Sequence, residues 1–172
     1  MLVGLRLENI ALIDCLELSF QKGFTAFTGQ TGAGKSIFLD SIDLLLGGGK
    51  NSSNKNLIYK GKTNAFIEGC FLKNPAIEDW LFKNQFEIES QEFFLSRDWK
   101  LKDQRWSTRY RLNGLIINKQ QVLSLRPFLI DFTVQGQIHN FHLLHDSAKW
   151  LDKYGYQHIK DTLDKVKLSW DK

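Results

Sequence analysis

With 172 residues, 42% of them hydrophobic and 24% charged, the chain has an ordinary globular composition and enough length for one sizeable core. Its net charge of +4 is too small to imply a nucleic-acid partner by itself, so the placement of the charge matters more than the total. No run of about 18 apolar residues occurs, which excludes a membrane-spanning helix. The N-terminus alternates apolar and polar residues and so reads as a strand, not as a signal peptide. Cys15 and Cys70 show neither zinc spacing nor a disulfide framework; they read as buried thiols in strands and fit a reducing cytoplasm.

Leu2–Asn9 and Ala11–Phe20 alternate as half-buried strands do, and Gln21-Lys22-Gly23 turns the chain into a third expected strand, Phe24–Thr28. A glycine-rich loop follows. Ile37, Leu39, Ile42 and Leu44–Leu46 then predict an apolar helix buried on most faces and capped at Gly47-Gly48-Gly49. After the polar stretch Lys50–Asn56, the segment Tyr59–Leu72 predicts a strand with Ala65, Ile67, Gly69 and Phe71 on one side. Pro75 opens a short helix through Trp80 and Leu81. Glu92–Arg97 and Trp106–Leu112 read as strands joined by a basic segment, with a turn at Asn113-Gly114. A helix over Lys119–Leu125 is expected to stop before Pro127, and an apolar strand over Phe128–Val134 to lead into the polar loop Gln135–Asn140. Ile159, Leu163, Val166 and Trp170 are spaced four, three and four apart, as in a coiled-coil seam too short to stand alone.

Gly29-Gln30-Thr31-Gly32-Ala33-Gly34-Lys35-Ser36 fits G-x-x-x-x-G-K-[ST], between an expected strand and an expected helix. Glycines let successive amides turn inward toward phosphate oxygens at the positive end of the helix dipole. Lys35 is placed to bridge the β- and γ-phosphates of ATP and the Ser36 hydroxyl to hold Mg²⁺. Hydrolysis also needs an Asp ending a second apolar strand, usually beside a Glu that activates water. Asp131 has the apolar lead-in but is followed by Phe132, and no Asp-Glu dipeptide occurs, so the expected catalytic base is absent from these residues. Leu46-Gly47-Gly48-Gly49 lacks the serine of a signature motif and reads as a helix cap.

Leu5–Asp14, Gly29–Ser36, Leu44–Gly48, Ser107–Gly114 and Val134–Gln137 with Leu143-Leu144 together resemble the N-terminal part of the RecN family of SMC-like ATPases, acting in recombinational repair of DNA double-strand breaks. The resemblance implies an α/β fold: a P-loop ATPase half-head of ABC/SMC type with a mixed and antiparallel sheet. It implies a lobe over residues 1–146 and a truncated coiled-coil arm beginning over 147–172. In that family the two ends of one chain build one head, so the Walker B strand and signature motif are expected on a C-terminal half. ATP-bound heads are expected to self-associate. Gln137 is carried over as the glutamine-loop residue contacting Mg²⁺ or the attacking water, with Gln135 as runner-up. Where the family often has histidines and a glutamate after the glutamine, this chain has Ile138-His139-Asn140-Phe141; His139, His142 and His145 read as surface or packing residues. Asn9 is open between an approach to adenine and an edge-of-strand structural role.

Arg97, Lys100, Lys102, Arg105, Arg109 and Arg111 stand against Asp98 and Asp103, giving that stretch the whole net excess of four. With Trp99 and Trp106 interleaved, it reads either as a DNA-facing surface or as a solvated hairpin face. Two further readings stay open: a stand-alone nucleotide- or DNA-binding module without hydrolysis, and a transporter-type ABC ATPase, disfavoured because those keep all motifs in one continuous domain.

Overall fold

The computed structural model describes residues 1–29, 35–48 and 58–130, with residues 162, 166, 169 and 170 further along; the side chains of Lys35 and Ser36 fall outside that description. Two compact units divide at Asp131 and Phe132. The first contains strands β1 (Leu2–Ile10) and β2 (Ile13–Ser19), helix α1 (Lys35–Leu45), strand β3 (Asn64–Leu72) and helix α2 (Pro75–Lys83). It continues with β4 (Glu92–Lys102), β5 (Arg105–Leu112), β6 (Leu115–Ile117) and helix α3 (Lys119–Leu129). In the second unit, Thr162, Val166, Ser169 and Trp170 are helical and exposed.

The six strands form one sheet in the order β2-β1-β3-β4-β5-β6. Every pairing among the described residues is antiparallel, so the expected mixed component has no representative there. Alternation sorts the strands into an inner face of Leu5, Leu7, Ala65, Ile67, Phe71, Phe93, Leu95, Trp99 and Leu112, all essentially buried, and an outer face carrying most of the charge. β3 follows its sequence pattern, and Asn113-Gly114 makes the expected turn with both φ angles positive.

Helix α1 lies on the inner face against β1, β3 and β4. Phe38, Ile42 and Leu45, at helical spacing, point into the core, whereas Leu39 is 47% exposed; α1 is therefore amphipathic, not buried on most faces. Gly69 permits its approach, because a Cβ there would meet Leu45 Cδ2 at 2.8 Å. The helix ends as predicted: Gly47 takes φ +82°, its N–H reaches Leu44 O at 3.3 Å and the Gly48 N–H reaches Asp43 O at 2.8 Å. That is the paired bonding of a Schellman cap.

Three other expectations change. Phe24–Thr28 lies in irregular backbone, with Phe24 95% exposed, since no strand among the described residues pairs with it. The basic segment is not a connection: β4 runs through Lys102 and turns at Asp103-Gln104, where φ values of +50° and +61° match the mirror-image turn of a tight hairpin. Helix α3 passes through Pro127 to Leu129, so Phe128 and Leu129 are helical and the expected Phe128–Val134 strand does not begin there. A capping box between Asn118 and Gln121 fixes the start of α3, and the buried stripe Val122, Leu125 and Leu129 outweighs the one backbone bond that proline removes. From Asp131 onward that segment lies outside the described residues.

Helix α2 begins at Asn74, whose side chain accepts from the Ile77 N–H at 2.9 Å, with Pro75 in the first turn. It packs on α3, where the Trp80 indole N–H donates to Ser124 Oγ at 2.9 Å. The cysteines lie in strands as expected but are not buried: Cys15 is exposed and Cys70 partly so.

Candidate functional site

The glycine loop is bracketed by aromatic side chains. Phe27, two residues before Gly29, stacks on Phe38 in the first turn or so of α1 with ring centroids 4.3 Å apart, and Phe20 at the end of β2 sits 6.3 Å from both. The incoming stem and the outgoing helix are thus tied together across the loop. Helix α1 is described from Lys35, the seventh residue of the motif, onward. Gln30, Thr31, Gly32, Ala33 and Gly34 lie outside the described residues, as do Gln135, Gln137, His139, His142 and His145.

The opposite end of α1 is held by two arginines. From β4, Arg97 donates through Nη1 to Leu44 O at 2.8 Å and through Nε to Thr108 Oγ1 at 3.1 Å. Its guanidinium lies 4.4 Å from the Trp99 ring and 4.6 Å from the Tyr110 ring. From α3, Arg126 pairs with Asp43 at 2.6 Å. A cation beside the last carbonyls of a helix is favoured by the dipole. Arg97 is only 5% exposed and pairs with no carboxylate among the described residues; burial pushes its pKa down and that of Tyr110 up. The Trp99 Nε1 and Tyr110 Oη atoms beside it are buried without a hydrogen-bond partner among the described residues.

This overturns one sequence expectation. Arg97 cannot face DNA, because it occupies the inner parity of β4 with Phe93, Leu95 and Trp99. The alternation along β4 carried that signal, and the charge count concealed it. Trp99 is buried and Trp106 half-buried on the same inner side, so neither offers an exposed stacking platform on the basic face. On the outer side, Arg111 bonds to Asp98. Lys100, Lys102, Arg105 and Arg109 are exposed and form no ion pair among the described residues.

Toward β1 and β2 the outer face becomes mixed in charge, with Arg6 bonded to Glu8 and 3.4 Å from Glu17. A shallow depression of about 230 Å³ opens there, lined by Gly4, Arg6, Glu17, Glu68, Cys70 and Phe94 among others. The Cys70 thiol is pushed up to about 11 by burial and by neighbouring Glu92, so it stays protonated and is no nucleophile. Asn9, 9% exposed with φ +55°, accepts at its backbone oxygen from the Tyr59 N–H at 2.9 Å. That bond ties the end of β1 to Tyr59 through the backbone alone. No cluster of three metal-ligating side chains occurs among the described residues.

A family model described as an AAA domain matches residues 4–168, a span that takes in the glycine loop and all of the sheet but the first two residues of β1. The chain belongs to the AAA domain family. Its similarity to curated proteins is concentrated under one name, DNA repair protein RecN. The protein of Synechocystis sp. is 37% identical over 171 residues, 99% of this chain and 29% of that protein. That of Rickettsia felis is 35% identical over 88% of this chain and 27% of its own length, and that of Bacillus subtilis 29% identical over 95% and 28%. The chain therefore spans under a third of these relatives. Among solved structures, one described as "Structural biochemistry of ATP-driven dimerization and DNA stimulated activation of SMC ATPases" superposes with a TM-score of 0.63 at 23% identity, covering 87% of this chain and 95% of that one. The recombination mediator protein RecF-ATP gives 0.52 at 18% identity, over 68% of this chain and 27% of that one. These likenesses establish the fold, that of SMC- and RecF-type P-loop ATPases. No described helix is long and apolar enough to cross a membrane.

Proposed function

We propose that this chain is the ATP-binding N-terminal part of a RecN-like head acting in recombinational repair of DNA double-strand breaks. The observation that carries the reading is that helix α1, described from Lys35 of the glycine motif onward, is tied by Phe38 to Phe27 on the stem that enters the loop. The amides of Gly29–Ser36 cradle the phosphates, Lys35 reaches the β- and γ-phosphates, and Ser36 holds Mg²⁺. Gln137, or Gln135 in its place, supplies the second contact to metal or water.

The segment Phe24–Thr28, which pairs with no strand among the described residues, supports a partner. Its β-favouring residues and its exposed Phe24 fit a strand that pairs with a C-terminal half of the same head. ATP-bound heads associate, and that half supplies the groups that cleave the γ-phosphate and so release them. DNA is the macromolecular partner, and the protein works in the cytoplasm at the nucleoid.

Titration of the full chain with a fluorescent ATP analogue and Mg²⁺ tests the reading. Lys35→Ala is expected to weaken binding at least about tenfold, a loss of roughly 1.4 kcal/mol. Unchanged binding in both Lys35→Ala and Ser36→Ala would falsify the phosphate assignment. Steady-state turnover by this chain, abolished by Lys35→Ala, would place the hydrolytic groups inside it. The absence of an Asp-Glu dipeptide favours a second reading, a nucleotide-binding module that works without hydrolysis; turnover on adding a C-terminal half removes it.

A further inference from the structure

The register of β4 and β5 sorts the basic residues by face. Lys102 opposes Arg105, Lys100 opposes Ser107 and Asp98 opposes Arg109, so Lys100, Lys102, Arg105 and Arg109 project from one side in two adjacent rows. Arg111 shares that side and neutralises Asp98. Within the paired stretch of the hairpin, Leu95–Leu112, the turn residue Asp103 is the remaining acid, which leaves a net of three positive charges over Lys100, Lys102, Arg105, Arg109 and Asp103.

We propose that this outer face of the β4–β5 hairpin is a docking surface for the phosphate backbone of duplex DNA. The proposal rests on the DNA-repair reading above for its choice of DNA among polyanions. Charge complementarity and exposure argue for a polyanion, since four cations without acidic partners on a rigid ladder can each meet a phosphate without first breaking an ion pair. The distribution of aromatic side chains argues for a duplex over a single strand. Single-strand grooves stack bases on exposed rings; here Trp99 and Trp106 lie on the inner side, Phe66 of the outer face is half-buried, and the exposed Phe94 lies beyond Asp98 along β4, away from the four cations. Glu8, Glu17 and Glu68 toward the β1–β2 end of the same face repel a backbone there and confine it to the hairpin end.

The test is fluorescence anisotropy of a short blunt-ended duplex titrated with the full chain over a range of salt. If all four cations engage, log K falls with log salt at a slope of about −3.6, roughly a 100-fold loss from about 50 to about 200 mM. The double variant Lys100→Gln with Arg109→Gln is expected to bind at least about tenfold more weakly and to flatten the slope by about 1.8. Lys60→Gln with Lys83→Gln removes the same charge from exposed positions elsewhere and is expected to change affinity less than about twofold. Equal losses in the two double variants would overturn the surface in favour of net charge. Single strand binding as tightly as duplex, or polyglutamate competing as well as DNA, would overturn the duplex assignment. The same proteins are titrated with the fluorescent ATP analogue: hairpin variants that lose DNA but keep nucleotide confirm two separate sites. A wild-type chain that binds nucleotide but not DNA overturns this proposal and leaves the phosphate-loop reading standing.

Discussion

Arg97 Nη1 donates to the backbone oxygen of Leu44 across 2.8 Å, joining the centre of β4 to the last turn of the helix that begins at the phosphate loop. The bond adds a second donor to a carbonyl that already accepts from the Gly47 N–H in the helix cap. It does so with a buried cation whose stem and plane fill the space between Trp99 and Tyr110. Structure here converts an apparent ligand-binding arginine into a cap and a packing element.

Arg97→Ala is therefore expected to destabilise the chain by about 2–4 kcal/mol, from the lost bonds to Leu44 and Thr108 and a gap between two rings. Arg97→Met refills most of the gap and removes the cost of burying an unpaired charge, so its loss should be clearly smaller. Urea unfolding of the three proteins reads the difference. Equal and slight effects, below about 0.5 kcal/mol, would mean that Arg97 neither caps nor packs.

The sequence disclosed those parts of the fold whose forces are local. Inner-face alternation in β1 and β3, the cap at Gly47, the opening of α2 at Pro75 and the turn at Asn113-Gly114 all follow from side-chain parity or backbone torsion. It misjudged α3, where a proline rule acting on one bond lost to the apolar stripe Val122, Leu125 and Leu129 packing at a distance in the chain. It misjudged Phe24–Thr28 for a related reason, since a strand exists only where another strand accepts its bonds. Of the site, the glycine motif was legible because its spacing is chemical. The Phe27–Phe38 stack and the pairing of Asp43 with Arg126 were not, because they join residues whose proximity only the fold creates.

Glu68 offers a pH test on the outer face. Burial is the main cause raising its pKa, Glu8 adds to it, and Arg6 opposes both. A carboxyl raised in the folded state favours folding fully below its unfolded pKa, and that contribution is lost as pH rises through the folded value. At neutral pH the ionised group is thus a cost. Glu68→Gln should raise the thermal midpoint at neutral pH, and the gain should shrink as the pH falls through the ordinary carboxylate range. A destabilised Glu68→Gln at neutral pH would show that the attraction of Arg6 outweighs burial.

The aromatic bracket around the phosphate loop predicts an effect on ligand binding separable from stability. Phe27 is 46% exposed, so removing its ring should cost folding only about 1 kcal/mol, mostly the stacking on Phe38. Nucleotide binding should suffer more than that exposure implies. With the two stems untied, the loop must be ordered at the expense of binding, and an ordering cost of about 1 kcal/mol weakens affinity roughly fivefold. Phe27→Leu keeps an apolar contact with Phe38 and should recover most of the affinity, whereas Phe27→Ala should not. Titrations with the fluorescent ATP analogue, run well below each variant's unfolding midpoint, compare the two. Equal affinity in wild type and Phe27→Ala would show that the loop is organised by its own backbone and by α1 alone.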